Sequence, residues 1–197
     1  MKVLNIYYID TNNIDINRIL LSKFIREEDK ELFLKYNSTI TKKEKIASTY
    51  FKNKYVGAYE IDSFGKPVAK DKYFNISHSY GVVVFVLDTV PIGIDIEIIK
   101  QRKPNLVDYV CSEDEKTYVD SDIRFVEVWT NKEALIKANG IGIKDKLAEV
   151  PSIPINSKKT YRNKQYISKT ITFNNFVITI AREDVEYFEI ELVKEEI

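Results

Sequence analysis

The sequence predicts an α+β protein, and three observations lead there. Each half holds helix-forming stretches followed by short β-branched and aromatic runs that read as antiparallel strands. Gln101-Arg102-Lys103-Pro104 reads as a linker and falls almost halfway along the 197 residues, which is compatible with two related lobes meeting along a cleft. Hydrophobic residues make up 44% of the chain, enough to bury a sizeable core without metals or disulfides.

The elements follow in order. Residues 2–9 are rich in β-branched and aromatic side chains and predict a strand, with Asp10 to Asn13 as its turn. Helix formers fill 27–36 and 43–54, and Thr41 suits the cap of the second helix. A strand is expected near 55–61, and Gly65 and Pro67 mark the turn after it. Strands follow near 73–77, 82–87 and 92–98. Helices are expected near 105–110, 113–119 and 122–138, the last stopped by Gly140. Strands near 166–173 and 176–181, joined by the turn-compatible pair Asn174-Asn175, and a strand near 186–193 complete the reading.

Composition narrows the function classes. Lys plus Arg and Asp plus Glu both total 30, so no net charge draws the chain to nucleic acid or to a membrane, and neither partner is expected. Cys111 is the only cysteine, which excludes an internal disulfide and a thiolate metal cluster; it reads as a small apolar side chain, with a reactive thiol the alternative. The apolar start is too short for a signal peptide, and no run approaches the ~20 apolar residues that span a bilayer. A cytoplasmic location is the expectation.

Three places could hold chemistry. In Ile92-Gly93-Ile94-Asp95-Ile96-Glu97-Ile98, period two puts the isoleucines on one strand face and Gly93, Asp95 and Glu97 on the other. The two carboxylates read either as solvated charges or as a pair whose repulsion a cation relieves. In Trp129-Thr130-Asn131-Lys132-Glu133-Ala134-Leu135-Ile136-Lys137, Glu133 and Lys137 share one helix side. They form a surface ion pair, or Glu133 joins Asp95 and Glu97 around a cation while Lys137 reaches bound phosphate. Oxygen-only ligands favour magnesium or manganese over zinc. His78, the only histidine, reads as a structural hydrogen-bonding residue or as part of a polar anion loop with Ser77, Ser79 and Gly81. Neither Gly81 nor Gly140-Ile141-Gly142 makes a nucleotide-binding glycine loop.

Phe74-Asn75-Ile76-Ser77-His78-Ser79, Pro91-Ile92-Gly93-Ile94-Asp95-Ile96-Glu97 and the block from Trp129 to Lys137 together resemble the 4'-phosphopantetheinyl transferase family, in its longer, surfactin-type branch. The resemblance runs over roughly residues 20–145. It implies a pseudo-dimeric fold with an N-terminal lobe over 1–100, a C-terminal lobe over 101–197 and the active site at their interface. It also implies transfer of 4'-phosphopantetheine from coenzyme A to a serine of an apo-acyl, peptidyl or aryl carrier protein, often in secondary metabolism, by a monomer. On that resemblance Asp95, Glu97 and Glu133 hold magnesium on the pyrophosphate, and Lys137 binds the pyrophosphate and assists departure of 3',5'-ADP. Ser77 and His78 contact the 3'-phosphate region, Lys66 contacts coenzyme A, and Glu115 helps deprotonate the carrier serine.

The sequence departs from the family in two places. The arginine usual before a Leu-Leu-Gly-like helix segment is missing; Lys43 is the best replacement, with Lys42 and Lys45 as alternatives, and Lys30 is the nearest remnant of a basic pair in the first helix. Lys100, Arg102 and Lys103 are candidate carrier contacts or solvated charges. The competing functions are another magnesium-dependent phosphoryl-transfer enzyme, and a non-catalytic coenzyme A- or carrier-binding protein on the same fold.

Overall fold

Two runs, Val82–Val86 and Ile92–Ile96, are buried at every position, so each strand is covered on both faces and each sheet needs a layer on either side. The computed structural model describes residues 2–33, 38–61, 67–142, 145–184 and 186–196. In chain order the elements are β1 (Lys2–Asp10), α1 (Ile16–Leu20), α2 (Glu27–Phe33), α3 (Thr39–Phe51), β2 (Glu60–Ile61), β3 (Pro67–Val68), β4 (Tyr73–Ser79), β5 (Val82–Asp88) and β6 (Ile92–Ile98). Then come α4 (Pro104–Val110), α5 (Glu113–Tyr118), α6 (Asp122–Asn139), β7 (Lys158–Tyr161), β8 (Lys164–Phe173), β9 (Phe176–Arg182) and β10 (Phe188–Lys194).

The expected pseudo-dimeric α+β arrangement is the one found. One four-stranded sheet has the order β10-β1-β5-β4 and the other β6-β9-β8-β7, with β2 and β3 forming a small separate ribbon. Leu4, Ile6, Val84 and Val86 of the first sheet share a buried cluster with Ile92, Ile94, Ile96, Ile178 and Ile180 of the second. The opposite face of the first sheet, through Ile9, Val83 and Phe85, packs against Ile19, Ile46 and Phe51 of the N-terminal helices. The opposite face of the second, through Tyr166, Val177 and Ala181, packs against α6.

The sheets draw strands from across residue 100. β6, from the first hundred residues, pairs antiparallel with β9, while β10, from the far end, pairs parallel with β1 in the register Lys2↔Phe188 to Tyr8↔Lys194. Antiparallel strands were expected throughout; β10 is the exception. Two turns follow their residue chemistry. Tyr80 (φ 48°) and Gly81 (φ 83°) make the two-residue link from β4 to β5, and Gly140 (φ 82°) ends α6 in the left-handed region.

The strand expected near 55–61 is corrected. α3 runs on into a π-turn at Lys52–Val56, and only Glu60–Ile61 is strand. Tyr55 has strand propensity, but its ring stacks on Tyr7 (4.4 Å) and Phe85 (5.5 Å), and that burial overrides propensity. α3 begins earlier than expected, capped by Ser38 rather than Thr41: the Ser38 side chain accepts from the Thr41 amide. α1 and β7 were not anticipated. Among the described residues no helix is long and apolar enough to cross a membrane.

Candidate active site

Where the two sheets meet, β4 lies along the edge of β6, and side chains rather than main-chain carbonyls fill the gap. Asn75 Oδ1 accepts from the Ile94 amide at 3.0 Å, Ser77 Oγ from Ile96 at 3.4 Å and Ser79 Oγ from Ile98 at 3.3 Å. These acceptors recur every second residue and meet amides that recur every second residue, so strand periodicity itself builds the seam. Each serine then donates onward, Ser77 to Asp95 Oδ1 and Ser79 to Glu97 Oε2, both at 2.9 Å.

α6 closes the site from the other side. A Cβ on Gly93 would stand 2.1 Å from the Ala134 carbonyl oxygen, so glycine is what lets the helix backbone approach β6 this closely. That approach brings Lys137 Nζ to 2.6 Å from Asp95 Oδ1 and 3.2 Å from Ser77 Oγ. A pocket of about 340 Å³ results, lined by Ile76, Ser77, His78, Asp95, Glu97, Trp129, Glu133 and Lys137. The structure thus brings together all three expected carboxylates and Lys137.

Burial and mutual repulsion act on the carboxylates of the pocket. Burial is the main cause that raises the Asp95 carboxyl above its ordinary range, against the pull of Lys137. Glu97 is raised by burial and then by the Asp95 charge, and Glu133 by burial, Asp95 and Glu97, with Lys137 opposing. Asp95 Oδ2 is buried and has no hydrogen-bond partner. Among the described residues no group of three His, Cys, Asp or Glu side chains forms a ready-made metal site. Even so, the donor chemistry suits a hard divalent cation: three carboxylates line one pocket, and one of their buried oxygens lacks a partner.

The other expected residues meet different partners. On β4, Ser77 turns to Asp95, whereas His78 Nδ1 lies 3.0 Å from Glu44 Oε2 on α3, so period two sends the neighbours to different partners. Lys43 Nζ donates to the Thr11 carbonyl at 3.0 Å and does not line the pocket. Lys66 lies outside the described residues. Glu115 is 2% exposed and also does not line the pocket. Its Oε2 accepts from the Ser112 amide at 2.8 Å and sits 2.6 Å from Lys132 Nζ, while its Oε1 accepts from Ser152. Lys30 pairs with Glu27 and Arg102 with Asp122; Lys100, Arg102 and Lys103 rim an adjoining pocket of about 340 Å³ that shares Glu97 and Trp129.

The sequence reading gave Asn75 and Ser79 no partner on β6. The signal was present as Asn75-x-Ser77-x-Ser79, a polar period-two run matching the period-two carboxylates of β6. Lys132 was missed as well, because nothing local marks a lysine that is fully buried.

Residues 91–181, which hold β6, α6 and the second sheet, match the family described as the 4'-phosphopantetheinyl transferase superfamily. The chain is similar to that superfamily over this segment. It is 37% identical over 106 residues to 4'-phosphopantetheinyl transferase gsp of Aneurinibacillus migulanus, covering 50% of this chain and 41% of that protein. It is 31% identical over 121 residues to 4'-phosphopantetheinyl transferase ffp of Bacillus subtilis, covering 57% and 50%. To 4'-phosphopantetheinyl transferase Sfp of Bacillus subtilis strain 168 it is 32% identical over 108 residues, covering 50% and 45%. The chain spans about half the length of these superfamily relatives.

Proposed function

We propose that this chain transfers the 4'-phosphopantetheine group of coenzyme A to a serine hydroxyl of an apo-acyl, peptidyl or aryl carrier protein, releasing 3',5'-ADP. The observation that carries the proposal is one pocket at the seam between the sheets in which Asp95, Glu97, Glu133 and Lys137 converge and a buried oxygen of Asp95 is left without a partner. In that reading Asp95, Glu97 and Glu133 would hold Mg2+, or Mn2+, and the bound ion would withdraw charge from the two phosphoryl groups of coenzyme A.

The residues divide the remaining work. The serine oxygen forms a bond to the phosphorus nearer pantetheine, and the bond from that phosphorus to the bridging oxygen of 3',5'-ADP breaks. Lys137 neutralises charge gathering on the departing phosphate. Glu115 is a poor acceptor for the serine proton, since Lys132, Ser112 and Ser152 already engage its two oxygens. In this proposal the proton passes instead to Glu133, a carboxylate that lines the pocket itself.

Two further pockets flank the carboxylates along α6. One, beside Trp129, is lined by Leu106, Phe125 and Val126 under the basic rim and suits the pantetheine arm and the carrier. The other, at the Gly140 end, is lined by Pro67, Tyr73, Phe74 and Ile141 and suits the nucleoside. The test is intact mass of a purified apo-carrier after incubation with the protein, coenzyme A and magnesium. A gain of one phosphopantetheine, lost with chelator or when the acceptor serine is replaced, is the expected result. Coenzyme A binding with no gain across a panel of carriers would favour the non-catalytic binding reading.

A further inference from the structure

The seam between the sheets does more than join them. A hydroxyl has one hydrogen and two lone pairs, so an oxygen that accepts from a main-chain amide still has its hydrogen to give. Ser79 Oγ accepts from the Ile98 amide at 3.3 Å and donates to Glu97 Oε2 at 2.9 Å. Ser79 is 6% exposed, and its strand is pinned by the pairing Ser79↔Val82, so the hydroxyl has little freedom to turn elsewhere. Ser77 repeats the arrangement with the Ile96 amide and Asp95, but it shares Lys137 with that carboxylate, which leaves Ser79 as the cleaner case.

We propose that Ser79 is a positioning residue for Glu97: its hydroxyl, aimed by the main chain of β6, commits one oxygen of a long, half-buried side chain to the seam so that the other is presented to a divalent cation. A glutamate has several rotamers to lose on binding a metal, and a partner that fixes them beforehand lowers that cost. Seam and site are then one device, since the hydroxyl that satisfies the edge of β6 also orients the ligand. The inference rests on the metal-binding part of the function proposed above.

Its test is Mn2+ binding to the purified full chain by titration calorimetry, with no carrier or coenzyme A present. Ser79→Ala is expected to weaken Mn2+ binding about tenfold, the usual size of a lost outer-shell partner. In a Glu97→Gln background the same substitution should change affinity less than about twofold, because its effect passes through Glu97. If alanine leaves the Ile98 amide so poorly served that the chain does not fold, Ser79→Cys, close in shape and a weak hydrogen-bond partner, takes its place. Parent-like Mn2+ affinity in either folded variant, or a penalty that persists in the Glu97→Gln background, overturns the positioning role. A parent protein that binds no Mn2+ overturns instead the metal site on which the role depends.

Discussion

Lys132 and Lys137 lie on the same helix, and each stands 2.6 Å from a buried carboxylate, yet one pair is sealed and the other open. Lys132 is fully buried, and its three ammonium hydrogens meet three acceptors: Glu115 Oε2, the Leu147 carbonyl at 2.9 Å and the Val150 carbonyl at 2.7 Å. Glu115 is satisfied on both oxygens. Asp95 faces a pocket, keeps one oxygen without a partner, and has two raised carboxylates for company. A buried charge whose bonds are all made fixes α5 and the loop after α6 in place. A buried charge with a bond still to make marks where a ligand goes.

That contrast can be broken first on the sealed side. Lys132→Met leaves the Glu115 charge buried without its cation and should destabilise the protein by about 3–5 kcal/mol in urea unfolding, whereas Lys137→Met, which removes a partly exposed ammonium at the mouth of a pocket, should cost less. Equal losses from the two would erase the distinction. On the open side, Glu133→Gln should slow carrier modification by at least ~100-fold without lowering the urea midpoint. A fully active variant would remove the pocket from the chemistry.

The smallest effect sharpens the comparison through pH. Asp95, Glu97 and Glu133 bind protons more tightly folded than unfolded, so the metal-free protein should lose stability as pH rises from the ordinary carboxylate range, about 4, through their raised values. Asp88 acts with the opposite sign. Burial alone would raise it, but Lys2 and Arg182 hold it low, so its contribution is present above the ordinary carboxylate range and lost in acid. Removing one pocket charge by Glu133→Gln should therefore raise the melting temperature at pH 7.5 by about 2–4 °C. The gain should vanish near pH 4.5. Melting curves of the two proteins that run parallel across this range would contradict the assignment.

What the sequence disclosed depended on how local each signal is. The carboxylate face of β6 and the stop of α6 at Gly140 are written in consecutive residues, and both are found. Glu133 and Lys137 were placed on one helix side, and the pocket they share with β6 follows from Gly93 admitting the helix. Less legible was anything that depends on a partner far along the chain. The resemblance made Glu115 a proton acceptor, and the partners that engage it, Lys132 and Ser152, meet it only in the folded protein. Ser77 and His78 looked like one polar loop, because the strand that separates them becomes visible only beside β6 and Glu44. Tyr55 followed the aromatic cluster around Phe85 rather than its own propensity.

The parallel pairing of β10 with β1 bears on how the chain is made. β1 is formed from residues 2–10, but the partner on its outer edge is residues 188–194. At ordinary synthesis rates that strand emerges on the order of 10–40 s later. During that interval β1 presents unpaired amides and carbonyls and the apolar side chains of Leu4 and Ile6 on an incomplete sheet, the form of edge that recruits other chains. When the last strand arrives it brings Glu195, whose carboxylate accepts from Tyr55 at 2.7 Å and Tyr50 at 3.2 Å and pairs with Lys54. Residues 188–195 thus act as a clasp on β1 and on the end of α3, and a ribosome stalled before them would hold a nascent chain prone to aggregate.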